Sequence, residues 1–374
     1  MQLAQRYLDD RASSAALAAS VGDIAAEADE SVEPDLRMLK ALRDSGLPRI
    51  VVPAAYGGRD ERVDALSVTV VRESLMKTSA HLDQLFCMQG IGSYALAAGG
   101  SEELKRHWLP QVASMDALAA LALTEPEVGS DLRSITTRVE AAGDELVING
   151  AKSFISNANV AAFYCVLARE GDGYSMVLVP AGTKGVSVTA TPAIIAPHLM
   201  GELEFQDVRV PAAHRLGPPG KGFSLVFATL GTFRVTVAGA AVGLAQGALD
   251  ATVQHATSRV QFGRPMIEIG AVGQHLARSW TEIEAARAFT YHAAQLARQD
   301  PKANLHLSSM AKVIATETAG RVTDTCVQVM GRFGLVRDST VERAYRVARP
   351  MRTYEGGTEV ILDSLARQLA RGAA

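Results

Sequence analysis

The feature that most restricts this chain is a change of period that happens twice. Apolar residues recur at helical spacing up to about residue 117, give way to short β-rich runs up to about 223, and then return to helical spacing. In the first stretch Leu36, Leu39 and Leu42 share one helix face. Asp35 is placed to cap that helix and Gly46 to stop it, with Pro48 just beyond. Ser101-Glu102-Glu103-Leu104 is another helix start, and Pro110 lies near that segment's end. In the middle stretch Leu146-Val147-Ile148 and residues 151–156 flank Asn149-Gly150. That pattern predicts a hairpin, because Asn-Gly supplies the positive φ angles of a type I′ turn. Four more strand-like runs follow, at 163–167, 174–179, 186–189 and 203–205, divided by Gly and Pro. The last stretch predicts long helices over roughly 222–257, 271–299, 303–331 and 358–371. The expected architecture therefore combines α and β in three domains. These are an N-terminal helical domain (1–117), a middle β domain built as a barrel or sandwich (118–223) and a C-terminal four-helix bundle (224–374).

Composition agrees and excludes other classes. A chain of 374 residues suits two or three domains, and 48% hydrophobic content excludes a disordered one. Its 37 Lys and Arg against 40 Asp and Glu lack the basic excess of a nucleic-acid binder. Only 5% of residues are aromatic, so the core must be aliphatic and alanine-rich, which lets helices approach closely. Gly239 and Gly243, four apart, predict one such packing contact. Cys87, Cys165 and Cys326 are too few and too far apart for a disulfide framework or a metal site. They read as reduced core residues of a cytoplasmic protein. The start, MQLAQRYLDDRASS, has no apolar signal-peptide core. The longest apolar stretches, 160–168 and 237–245, fall short of the about 20 residues needed to span a bilayer.

Four constellations carry candidate chemistry. Thr124-Glu125-Pro126-Glu127-Val128-Gly129-Ser130-Asp131 is a polar loop able to offer hydroxyl and backbone N–H groups to a heterocycle or a thioester. Phe154 and Ser156 alternate along a strand and so share a face, joining an aromatic ring to a hydroxyl. Arg259-Val260-Gln261-Phe262-Gly263-Arg264-Pro265 closes the first long bundle helix, where an arginine suits both the helix dipole and an anion. Arginines then recur at 343, 346, 349 and 352, a pattern typical of a solvated helix face, with Glu342 spaced to pair with Arg346. Glu355 lies between Tyr354 and Gly356-Gly357, in the turn before the last helix. Presented into a cavity there, its carboxylate would gain the raised pKa of a general base.

Taken together and in this order, these motifs resemble the acyl-CoA dehydrogenase family of flavoproteins. The resemblance covers nearly the whole chain. It runs through Gly46-Leu47, Val52-Pro53, Tyr56-Gly57-Gly58, Leu123-Thr124-Glu125-Pro126, Gly129-Ser130-Asp131 and Asn149-Gly150-Ala151-Lys152. It continues through Val208-Arg209-Val210-Pro211, Arg259 to Gly263, Gln328 with Gly331 and Gly334, and Tyr354-Glu355-Gly356 followed by Thr358. The family implies the same three-domain order and an FAD cofactor. Thr124 and Ser130 would then serve the flavin, Ser156 would approach its N5, and Phe154 would stand where the family more often has Trp. Arg259, Phe262, Gln328, Gly331 and Thr358 would complete the cofactor site, with Arg259 and Phe262 reaching FAD bound to a neighbouring subunit. A homodimer or homotetramer follows. Glu355 falls on the position of the catalytic base, which removes the α-proton of an acyl thioester while the β-hydrogen leaves as hydride. Arg234 matches an arginine near that base. An electron-transferring flavoprotein is a possible partner; neither nucleic acid nor a membrane span is expected, and no metal is implied.

Three departures stand against the family pattern. The loop before Glu202-Leu203-Glu204-Phe205 is shorter by about six residues. In the family that loop helps hold the nucleotide end of coenzyme A, so a carrier-protein thioester is an alternative substrate. Gly270 replaces a glutamine that holds the FAD adenine, and Arg332 occupies a usually small position. Two other readings keep the fold: a flavin-dependent monooxygenase, whose members generally lack the base, and a non-catalytic family member.

Overall fold

A computed structural model describes residues 3–372. Its helices are α1 (Gln5–Ser20), α2 (Ala25–Asp29), α3 (Leu36–Ser45), α4 (Ala65–Met76), α5 (Ala80–Gly99), α6 (Glu102–Ala113), α7 (Gly222–Ser258), α8 (Gly270–Gln299), α9 (Leu305–Met330), α10 (Thr340–Met351) and α11 (Thr358–Gly372). The strands β1 (Ala119–Ala122), β2 (Arg138–Ala142), β3 (Glu145–Ser156), β4 (Phe163–Glu170), β5 (Gly173–Pro180), β6 (Val186–Ala190), β7 (Met200–Pro211) and β8 (Arg215–Leu216) fall between α6 and α7. The order is thus helical, sheet, helical, as the change of period predicts. The chain divides into two compact units, each discontinuous in sequence. One comprises Met1–Glu30, Ala65–Asp83 and Arg234–Ala374; the other comprises Ser31–Asp64 and Gln84–Phe233.

The second unit holds the sheet. Its strand order is β6-β7-β3-β2-β4-β5-β8, with β1 lying parallel to β4. Alternate residues Leu146, Ile148, Tyr164, Val166, Val177, Val179, Leu203 and Phe205 bury one face. Asp35 caps α3 by accepting from the N–H groups of Arg37 and Met38, and Gly46 ends it at φ +69. The hairpin expected at Asn149-Gly150 does not exist. β3 runs straight through that dipeptide, and the register against β7 shifts there by a bulge. Asn149 spends its side chain on Asp207, donating at 3.2 Å and accepting from the Asp207 N–H at 2.8 Å. Gly150, at φ +143, is required because a Cβ would lie 2.6 Å from the Thr137 Cα. The turn sits instead at Gly143-Asp144, where Gly143 has φ +68 and Ala142 pairs with Glu145. A glycine at the first turn position serves a tight hairpin as well as Asn-Gly does.

The first unit is an alanine-lined helical assembly. Ala238, Ala241, Ala245, Ala294, Ala311, Ala315 and Ala319 are buried in one cluster. On α7 a Cβ at Gly239 would lie 2.5 Å from the Thr69 carbonyl oxygen, and one at Gly243 would lie 2.0 Å from that of Glu73. The two glycines therefore let α4 approach α7 backbone to backbone, as their spacing predicts. Two expectations change. Helix α7, 37 residues long, contains a window of mean hydropathy 1.7, long and apolar enough to cross a membrane. That window is 78% buried within the protein, which is the signature of a core helix. The helix itself falls where periodicity predicts, but the apolar stretch counted in the sequence fell short of this window because scattered Thr, Arg and Gly residues divide it. The arginine face of α10 is also not simply solvated. Arg346 binds Glu342 at 2.6 Å and pairs with Glu30, and Arg343 lies 3.7 Å from Asp29.

Candidate active site

In the first unit, Glu355 occupies the turn between α10 and α11. Pro350 cannot extend helical hydrogen bonding through its own nitrogen, and its carbonyl accepts from Thr353 (2.8 Å) and Tyr354 (3.1 Å) to wind the chain into that turn. Glu355 has φ +52 and Gly356 φ +104. A non-glycine residue at such an angle is unfavourable and persists only where its surroundings hold it. Several do. Arg234 Nε donates to the Glu355 carbonyl at 2.9 Å, and its Nη1 to Ser309 Oγ at 3.0 Å. Lys312 Nζ donates to the Gly356 carbonyl at 2.7 Å. Thr358 Oγ1 and Arg352 Nε both donate to Glu317 Oε1 at 2.8 Å, pinning the far side of the turn.

The residue Glu355 is half-buried, yet its Oε2 is buried and has no hydrogen-bond partner among the described residues. Burial pushes its pKa up, against the pull of Arg72, Arg234 and Lys312, with Asp83 adding to the rise. Arg72 is itself held by Asp83 at 2.7 Å and donates to Thr236 Oγ1 at 2.9 Å. Burial lowers the pKa of Arg234, opposed by the Glu355 charge. An unpaired carboxylate oxygen of raised pKa, facing fixed cations, is equipped to take up a proton.

Elsewhere in this unit Arg259 is exposed and stacks its guanidinium 5.5 Å from the Phe333 ring centroid. Arg332, the departure from the family pattern, stacks on the same ring at 5.0 Å. Phe262 is 93% exposed at φ +51. Gln328 and Gly331 are exposed at the end of α9, so Arg259, Arg332 and Phe333 meet while Phe262 stands apart in the hairpin Val260–Pro265. Gly270 opens α8, and a Cβ there would meet nothing within 4 Å.

In the second unit, Thr124 follows β1, and its carbonyl accepts from the Ser153 N–H at 2.9 Å. Among the described residues its hydroxyl is unpaired, and exposed Ser130 likewise has no side-chain partner. The loop is anchored by Glu125. Its buried carboxylate accepts from the Thr136 N–H (2.6 Å), the Thr137 N–H (2.9 Å) and Lys152 Nζ (3.0 Å). Desolvation acts on Glu125 in the opposite sense, but these donors hold its pKa at about 2. Burial pulls Lys152 down to about 8, against the Glu125 charge. Phe154 is half-exposed at φ +55, where the register between β3 and β7 shifts again, and its N–H donates to Glu202 at 3.2 Å. Ser156 Oγ shares a 3.0 Å hydrogen bond with His198 Nε2. His198 belongs to the short connection before β7, which Gln84 staples through both backbone groups of Leu199 (2.8 and 3.2 Å). An open aromatic face, an unpaired hydroxyl and a second hydroxyl suit a flat, polar-edged heterocycle.

Sequence reasoning missed Lys312, Ser309, His198 and the anchoring role of Glu125 and Lys152. For Lys312 a signal was present. It stands on the helix face defined by Ser308, Ala311, Ala315 and Ala319, where every neighbour is small and a lysine has no reason to be.

A helical–sheet–helical chain that carries a buried carboxylate oxygen on a clamped turn narrows the families it can belong to. The comparisons say which. Residues 5–116, 120–208 and 220–370 match the N-terminal, middle and C-terminal domains of acyl-CoA dehydrogenase. The cyclohexane-1-carbonyl-CoA dehydrogenase of Geobacter metallireducens is 35% identical over 360 residues, which cover 95% of this chain and 94% of that one. Among solved structures, butyryl-CoA dehydrogenase from Megasphaera elsdenii superposes with a TM-score of 0.94 at 29% identity, over 99% of both chains. A glutaryl-CoA dehydrogenase from Mycobacterium smegmatis in complex with FADH2 gives 0.93 at 25%, over 100% of this chain and 96% of that one. The chain belongs to the acyl-CoA dehydrogenase family, oxidoreductases that act on CH–CH bonds.

Proposed function

We propose that this protein is an FAD-dependent dehydrogenase that oxidises an acyl thioester across its α and β carbons, with Glu355 as the base for the α-proton. The observation that carries the reading is the buried, unpaired Oε2 of Glu355 on a turn held by Arg234 and Lys312. The α-carbon is a weak acid, so its proton leaves only if negative charge on the thioester oxygen is stabilised as it develops. The backbone N–H of Glu355 is the donor this chain would offer. Bound FAD would supply the hydride acceptor. Thr124, Ser130, Phe154 and Ser156 would hold the flavin ring, and Arg259, Phe262, Gln328, Gly331 and Thr358 the remaining contacts. The exposure of Phe262 supports a role toward a second copy of the chain, and hence a homodimer or homotetramer. Three free, buried cysteines are compatible with a cytoplasmic setting, and an electron-transferring flavoprotein is the expected electron acceptor.

The substrate class is an acyl thioester, on coenzyme A or on a carrier protein. The shortening read from motif spacing before Glu202 supports keeping the second in view, because in the family that loop helps hold the nucleotide end of coenzyme A. The test is anaerobic mixing of the yellow protein with butyryl-CoA, cyclohexane-1-carbonyl-CoA and the matching carrier-protein thioesters. Glu355→Gln should keep its flavin and lose reduction by about 10²–10⁴-fold. Undiminished reduction would remove Glu355 from the mechanism.

A further inference from the structure

Lys312 exchanges no proton in the chemistry above, and its placement is costly. Its side chain is fully buried on α9, beside Ala311 and Ala315, where an apolar residue would satisfy packing. Taking an ammonium out of water is unfavourable unless it is matched by strong partners. Its one hydrogen bond among the described residues goes to main chain, the Gly356 carbonyl at 2.7 Å. Next to it the Glu355 carbonyl accepts from Arg234 at 2.9 Å. Two successive carbonyls of one turn are thus each held by a cation. We infer that Lys312 is a positioning residue for the base: with Arg234 it clamps the Glu355-Gly356 turn in its left-handed conformation and keeps the carboxylate both aimed and ionisable. The inference rests on the reading of Glu355 as that base.

The pattern of bonds favours this over simple charge neutralisation. A lysine that paired directly with the carboxylate would hold it ionised and weaken it as a base. Here Oε2 stays unpaired while the ammonium binds the backbone, so the positive charge acts on Glu355 without occupying its oxygen. Arg72 and Arg234 add to that field and Asp83 opposes it. Lys312 in turn is lowered to about 8, by burial first, with Arg234 adding to the fall and Glu355, Glu317 and Glu359 opposing it. It therefore remains largely charged near neutrality.

Two variants separate the clamp from the charge. Lys312→Gln keeps a donor and loses the charge, and Lys312→Met loses both. The flavin-loaded proteins are mixed anaerobically with butyryl-CoA and cyclohexane-1-carbonyl-CoA across pH, and amide exchange is followed in residues 353–358. Lys312→Met should slow flavin reduction about 10²-fold near neutral pH, with half-saturation changed by no more than about twofold. Its acid limb should move up by about one pH unit, because a cation that favoured the ionised base is gone. Exchange should quicken about tenfold in the turn alone. Lys312→Gln should show the shifted limb with the turn still protected. If Lys312→Met does not fold, the acid limb of Lys312→Gln decides. An unmoved limb together with wild-type exchange in the turn overturns the inference, as does loss of protection spread evenly along α9. If the wild-type flavin is reduced neither by these thioesters nor by the matching carrier-protein thioesters, the base reading fails. Turn exchange in Lys312→Met then decides the clamp by itself.

Discussion

Glu355 and Phe154 lie in the same left-handed region, at φ +52 and +55, one in each compact unit. Their supports differ in kind. The Glu355 turn is held by buried Lys312 and half-buried Arg234 on its carbonyls, and by Thr358 and Arg352 on Glu317. Phe154 is held by a sheet: its neighbours Lys152 and Ile155 bracket a register shift between β3 and β7. Lys152 is itself locked to Glu125, and Ile155 is buried. The first arrangement fixes a carboxylate with one oxygen buried. The second pushes a ring outward where an inward residue would be expected from the alternation. In both, an unfavourable backbone marks the residue that the proposed chemistry needs, and the surrounding structure bears the strain.

The largest effect should come from cutting the support on the sheet side. Lys152→Met leaves Glu125 charged and buried without its cation, and breaking such a pair costs about 3–5 kcal/mol. Chemical denaturation of the sheet unit should register that loss. Its pH dependence follows from Glu125. Its folded pKa is held at about 2, below the ordinary value of 4.5, so it contributes stability above that ordinary value. The contribution is lost as pH falls through the interval toward 2. The wild-type protein should lose stability across that acid window, and Lys152→Met should lose less of it. Equal stability of the two proteins at neutral pH would mean the pair anchors nothing.

Next comes the base turn. A Cβ on Gly356 would lie 3.2 Å from Arg234 Nη2 and 3.2 Å from Ile361 Cγ1, at φ +104. Gly356→Ala therefore has neither the room nor the backbone freedom it needs, and the turn must shift. Displacing a base by about 1 Å costs about 10²-fold in rate. Flavin reduction by butyryl-CoA should fall by that much while flavin content stays at the wild-type level. Loss of flavin in proportion to rate would show that the turn supports the fold rather than the carboxylate.

The two regions also differ in how far they could be read from the sequence. The order of helix, sheet and helix was legible, and the long bundle helices fall close to the boundaries that apolar periodicity predicts, because that signal is local and sums over many residues. Asp35, Gly46 and Ser101 announced their helix ends through cap chemistry. Asn149-Gly150 misled because a strand bulge and a tight turn ask for the same backbone freedom, and only the crowding against Thr137 distinguishes them. Glu355 was visible as a carboxylate beside two glycines. Of its clamp, Arg234 was named only through the family resemblance, while Lys312, and Ser309 behind Arg234, come from distant parts of the chain that no spacing rule connects to Glu355. His198 was equally hidden, because its contact with Ser156 depends on where a short connection happens to run.

The smallest expected effect tests whether Phe154 is strained for the sake of its ring. A left-handed angle costs an ordinary residue about 1–2 kcal/mol, a penalty glycine does not incur. Glycine loses more conformational freedom on folding, by roughly 0.5–1 kcal/mol, so most of the gain is offset. The ring is half-exposed, so little buried apolar area is forfeited. Phe154→Gly should therefore unfold within about 1 kcal/mol of wild type when both are stripped of flavin. The flavin-loaded protein should behave differently, because an aromatic face worth about 0.5–1.5 kcal/mol is missing, and flavin should dissociate about 2–10-fold faster. Phe154→Trp should restore retention. A marked loss of stability in the flavin-free Phe154→Gly protein, with unchanged flavin release, would make the ring a packing element. The parallel with Glu355 would then end at the backbone angle.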